Sequence, residues 1–186
     1  MFIYFISKSL NKIKMNKIIS AIALIVTVCA PEAFAQNENA SAFKKVIDSY
    51  LELKNALFKD NGDSARVAAK HLYESIDKVP MAKLNAAQHK IWMEYNEKLS
   101  YHAEHIKGTD ELEHQREHFV KLSANMYKML KELKVNVADL YYQFCPMAND
   151  GKGAYWLSEK SAISNPYMGR KMPTCGETKD TIKVAK

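Results

Sequence analysis

Cys145-Pro146-Met147 and Met172-Pro173-Thr174-Cys175-Gly176 each set a cysteine two or three residues from a methionine. Thiolate and thioether are the donors that monovalent copper or silver seeks, so these two soft pairs form a candidate site for Cu(I) or Ag(I). Cys145 and Cys175 would be the principal ligands and Met147 and Met172 the supporting ones, with Met168 in reserve. The same two cysteines also suit one disulfide, which by closing the loop between them would contribute about 3 kcal/mol. A bridge consumes the thiolates a metal needs, so the two states can alternate with redox conditions. The residues leave both readings open.

A second set of donors lies upstream. His102 and His105 are three apart, and His114 and His118 four apart, so each pair shares one helix face. If the two helices run antiparallel across Gly108, His105 and His114 lie near the turn, with His102 and His118 a turn further from it. That arrangement offers nitrogen to Cu(II) or Zn(II), or a nitrogen partner for a copper ion from His105 or His118. The plain alternative is a solvated face, because Glu104, Glu113 and Glu117 are sequence neighbours. His71 and His89 read as surface residues. Arg116 suits a structural role, pairing with a carboxylate or backbone carbonyls. Trp156 and Tyr155 read as packing rather than as cation–π shields for an ion.

These side chains need elements to hold them. Phe43, Val46, Ile47, Tyr50, Leu53 and Leu57 recur at helical spacing, and Asn61-Gly62-Asp63 ends that helix. Asp63 or Ser64 would cap a second helix with Ala65, Ala68, Leu72, Ile76 and Val79 inward, closed by Pro80. A third, over 85–107, presents Trp92, Leu99, Ala103 and Ile106. A fourth is expected to start at a capping box of Asp110 and Glu113, burying Phe119, Leu122, Met126 and Leu133. The reading is all-α: an up-and-down four-helix bundle. A short fifth helix over 139–144 and a loop-rich C-terminal segment would pack on it.

Lys8, Lys12, Lys14 and Lys17, an apolar run over 18–30 and Ala33-Phe34-Ala35 together read as a secretory signal peptide ending at residue 35. Translation from Met15 would give a more ordinary signal. The expected organisation is then signal over 1–35, flexible leader over 36–41, bundle over 42–134, Cys/Met segment over 135–178 and tail over 179–186. Cleavage removes Cys29, leaves Cys145 and Cys175, and implies a periplasmic or secreted protein with no membrane span. Of 27 basic and 21 acidic residues, four and one lie in 1–35, so 23 and 20 remain. That balance speaks against nucleic acid. Without G-x-S-x-G, H-E-x-x-H, P-loop or dinucleotide motifs, no catalytic residue is assigned and an enzyme is the weakest reading.

Cys145-Pro146-Met147-Ala148, the 153–158 stretch Gly-Ala-Tyr-Trp-Leu-Ser, the 165–169 stretch Asn-Pro-Tyr-Met-Gly and Met172 to Gly176 resemble an uncharacterised bacterial family, domain of unknown function 3347. Gln115-Arg116-Glu117-His118-Phe119 with Leu122-Ser123 looks like its second signature. The resemblance covers nearly all of the chain after the signal. Domains of that kind occur alone in the cell envelope and on adaptor subunits of heavy-metal efflux pumps. The resemblance therefore implies copper or silver handling, with such an adaptor as partner. Many members place a histidine before Cys-Pro-Met where this chain has Phe144, so a nitrogen ligand would come from elsewhere. The rival expectation is a disulfide-stapled interaction module with no metal of its own.

Overall fold

The computed structural model describes residues 39–135 and 137–184. The expected signal peptide, the start of the leader and the last two residues lie outside them. Helix α1 covers 39–58 and buries Phe43, Val46, Ile47, Tyr50, Leu53 and Leu57. Residues 39–41 are already helical. Asp60 takes a left-handed turn (φ 54°), and the Asn61 side chain, rather than Asp63 or Ser64, caps helix α2, Gly62–Asp77, through the Ser64 amide at 2.8 Å. Pro80 leads into a 3₁₀ turn, Met81–Lys83. Asn85 and Gln88 form a capping box at the start of α3, Ala86–Lys107. Helix α4, Leu112–Leu133, begins later than its expected Asp110 cap: Glu111 is the N-cap and makes no side-chain bond there.

Gln115 explains part of that offset. Its amide Nε2 donates to the carbonyls of Thr109 (2.7 Å) and Gly62 (2.9 Å), tying the α3–α4 turn to the start of α2. A Cβ at Gly62 would strike the Asp110 backbone, so this close approach needs glycine. The helices pack around Trp92, Leu99, Ile106, Phe119, Leu122 and Met126, all essentially buried. Among the described residues, no helix is long and apolar enough to cross a membrane.

The all-α expectation needs correction. Residues 139–144 do not form a fifth helix; Leu140–Cys145 is strand β1, paired antiparallel with β2, Ala154–Ser158, and with β3, Glu177–Ile182. The order is β2-β1-β3. Aromatic side chains favour a pleated, half-buried surface over a short helix. Between β1 and β2, Asn149, Asp150, Gly151 and Gly153 all take positive φ, which turns the chain back as a hairpin. Tyr142 on β1 stacks between Tyr127 of α4 (3.6 Å, 4°) and Tyr155 of β2 (4.7 Å, 13°). Tyr50 of α1 anchors β2 as well, accepting from the Leu157 amide at 3.0 Å while bonded to Ser123 at 2.7 Å. The molecule is largely helical, with a small antiparallel sheet docked on the bundle.

Candidate metal centres

Helices α3 and α4 meet at the turn over 108–111, and their histidines converge there. The His105 and His118 rings stack at 4.3 Å and 7°; His114 and His118 are 4.7 Å apart, centroid to centroid. One nitrogen from each of His105, His114 and His118 lies within 4.8 Å of the others, and that group includes neither cysteine nor any carboxylate. His102 joins behind them, its Nδ1 3.1 Å from His118 Nδ1. All four are half-buried. Burial, then the neighbouring His118 and His105, pushes His102 down to about 4. Burial and then His105 and His114 lower His118 as well, with Glu117 opposing. Both rings are therefore held neutral, which leaves each a nitrogen lone pair. Tyr101 leans on His105 at 4.5 Å and is itself exposed.

The cysteines form a separate feature. Cys145 ends β1, fully buried; Cys175 sits just before β3, half-buried, and the two Sγ atoms are 2.6 Å apart. No disulfide bond joins them in this structure, although the contact is closer than two unbonded sulfurs ordinarily take. Hydrogen bonding to Cys145 and then burial raise the Cys175 thiol. Gly176 makes this approach available: at φ 140° it lies against the Phe144 carbonyl and the Trp156 ring, where a Cβ would come within 2.9 Å of both. Buried Asn165 holds the segment, donating to the Cys175 carbonyl (2.7 Å) and accepting from the Tyr167 and Met168 amides. The Met172 carbonyl accepts from the Cys175 amide at 3.3 Å, whereas Met147 is 55% exposed. Trp156 is buried in the core, edge-on to Tyr167.

Met147 and Met168 instead line a cleft of about 800 Å³ together with Asp60, Glu113, Arg116 and Glu117; neither cysteine is among its lining. Arg116 organises one wall. It donates from Nε to the Pro166 carbonyl (2.8 Å) and from Nη2 to the Leu57 carbonyl (2.9 Å) and the Asp60 carboxylate. Burial would raise the Asp60 carboxyl, but the Arg170 amide and then Arg116 hold it below the usual carboxylate range. Gly169, at φ 50°, has no room for a Cβ beside these two groups. His114 and His118 follow Glu113 and Glu117 by one residue, about 100° round the α4 axis, toward α3.

The sequence reading named the four histidines and the cysteines as donors, quoted Asn165 only inside a family motif, and did not name Asp60. A left-handed aspartate at a helix end carries no signature beyond the turn that follows it. Asn165 sits in an Asn-Pro pair, and such a pair marks a turn without naming its partners.

The family described as protein of unknown function (DUF3347) matches residues 46–137, which span the helical bundle with its histidines and Arg116 and stop short of both cysteines. The match is therefore shorter than the near-whole chain that the C-terminal motifs suggested. No curated protein and no solved structure matches the chain.

Proposed function

Because the chain belongs, over residues 46–137, to the DUF3347 family, whose own function is unknown, we propose a function from its side chains. It is an exported soft-metal-binding protein that holds Cu(I) or Ag(I) between Cys145 and Cys175. It works in the periplasm or outside the cell as a chaperone, buffer or accessory, delivering to the adaptor of a heavy-metal efflux pump. The observation that carries this reading is the meeting of two thiols, 2.6 Å apart, at the end of the sheet. Soft donors of this kind select monovalent coinage metals over harder ions. Two thiolates sharing one ion at about 2.3 Å each would stand roughly 4 Å apart, so the sulfurs must separate to admit it. Cys175 lies in the irregular stretch before β3, whereas Cys145 is fixed in the β1–β2 ladder, so Cys175 would be the one to move. Of the two methionines, Met172 shares a backbone-bonded turn with Cys175, whereas Met147 is 55% exposed and lines a cleft that neither cysteine lines.

The direct sulfur contact also favours a second reading, in which Cys145 and Cys175 close as a disulfide and the domain is an interaction module. One experiment separates them. Reduced protein is titrated anaerobically with Cu(I) against a competing chelator, beside Cys145→Ser and Met172→Leu, and the thiols of protein isolated from the producing cell are counted. Binding abolished by Cys145→Ser and weakened by Met172→Leu supports the metal reading. No binding, together with a quantitative disulfide in the isolated protein, replaces it with the module.

A further inference from the structure

A second site stands independently of the cysteines. The geometry points to a borderline divalent transition ion, Zn(II) or Cu(II), bound by His105, His114 and His118 at the α3–α4 turn, with His102 as the positioning residue behind His118. Three imidazole nitrogens within 4.8 Å of one another come from two rigid helices, and closing them on an ion at about 2.1 Å requires the His105 or His118 ring to turn out of their face-to-face stack so that both lone pairs converge. Imidazole suits zinc, copper and nickel, whereas calcium and magnesium need oxygen donors, and none is in the group.

The supporting contact is already formed. With His118 Nδ1 turned to His102 Nδ1 at 3.1 Å, the Nε2 atom of His118 is left for the ion. Ligating histidines are usually fixed in this way by a partner on the other ring nitrogen. In the bound state His118 Nδ1–H donates and His102 Nδ1 accepts, so His102 keeps its own proton on Nε2. Tyr101, lying on His105, limits the travel of that ring. The half-exposed histidines leave a path for entry from solvent, and a fourth position open to water completes a tetrahedral set.

The test is titration of the tag-free protein with Zn(II), read by calorimetry, and with Co(II), read by its visible absorption. Wild type, His118→Ala, His114→Ala, His102→Phe and Cys145→Ser/Cys175→Ser are compared. The expected result is one-to-one Zn(II) binding and a tetrahedral Co(II) spectrum, both kept by the double cysteine variant. His118→Ala and His114→Ala should each weaken Zn(II) at least about tenfold, and His102→Phe by about 10- to 100-fold, as expected for loss of an orienting partner. Circular dichroism melts of the metal-free variants check that each still folds. Absence of binding in wild type, affinity unchanged in His118→Ala, or binding lost in the cysteine variant would each overturn the site. Since the cysteine variant is one arm, failure of the soft-metal reading and failure of this one give different patterns.

Discussion

Tyr127 Oη on α4 donates a 2.6 Å hydrogen bond to Asp180 Oδ2 on β3, and Lys131 Nζ reaches the same oxygen at 2.9 Å. Through these contacts the edge strand is fastened to the bundle, although 179–186 reads as a tail from sequence. The Tyr127 bond, then Lys131, lowers the Asp180 carboxyl to about 2. A folded-state pKa below the unfolded value gives stability that is complete at neutral pH and lost as pH falls from about 4 toward 2. Asp180→Asn should therefore lower the melting temperature at pH 7 and lose that deficit relative to wild type near pH 2. Melts of both proteins across this range are the check. An equal deficit at both ends would mean that the carboxylate charge contributes nothing.

Arg116 and Gly169 meet at one junction. Removing the guanidinium strips one donor each from the Leu57 and Pro166 carbonyls and the Asp60 carboxylate, although the Asp60 amide still serves Leu57 and the Arg170 amide still serves Asp60. Arg116→Ala should cost about 1–3 kcal/mol, between the ranges for exposed and fully buried charge pairs, because Arg170 still faces Asp60. Gly169→Ala adds a methyl group where none fits, at a positive φ, and should cost upward of about 1 kcal/mol. Because both act on the same contacts, the double variant should cost less than the sum. Urea denaturation of the four proteins decides it; strict additivity would show that the two positions act separately.

Lys54 is 1% exposed and pairs with Glu159 at 2.9 Å, which joins α1 to the segment after β2. Asn55 supports the same carboxylate at 3.2 Å. Glu159→Gln strands a buried ammonium and should destabilise by about 3 kcal/mol. Lys54→Met removes the charge while keeping the volume and should cost much less, provided that Asn55 still holds Glu159. Equal losses in the two variants would show that packing, not charge, governs this contact.

Much of the bundle was legible because each helix is long enough for its apolar residues to repeat several times. Phe43, Leu72, Leu99 and Leu122 are inside as their spacing requires. A helix over 139–144 was misread because six residues rich in aromatics carry no period able to separate helix from strand. The informative signal lay just beyond, in Asn149 to Gly153, whose turn chemistry requires a hairpin. The α4 cap failed for a different reason: Gln115 takes the Thr109 and Gly62 carbonyls, a contact spanning 53 residues in the latter case. The meeting of the histidines follows from spacing on two helices and a short turn, both of which are local. Asp60 and Arg116 are 56 residues apart, and nothing local in either names the other.

The redox state of Cys145 and Cys175 should be readable as stability. Closing a bridge between them would tie a loop that runs from the end of β1 through β2 and the Asn165 segment. Chain entropy alone sets its contribution at roughly 3–4 kcal/mol. For a domain of this size that is on the order of 10 °C in melting temperature. If the cysteines serve as a staple, reductant should lower the melting temperature by about this much, and added Ag(I) should not restore it. If they serve as a soft-metal pair, the reduced protein should regain stability as Ag(I) is added, because an ion bound only by the folded state stabilises it by mass action. The response of reduced wild type to Ag(I) decides, with Cys145→Ser as the control. In the first case the variant melts like the reduced wild type whether or not Ag(I) is present. In the second it also melts like the reduced, metal-free wild type, but Ag(I) rescues only the protein that retains both thiols.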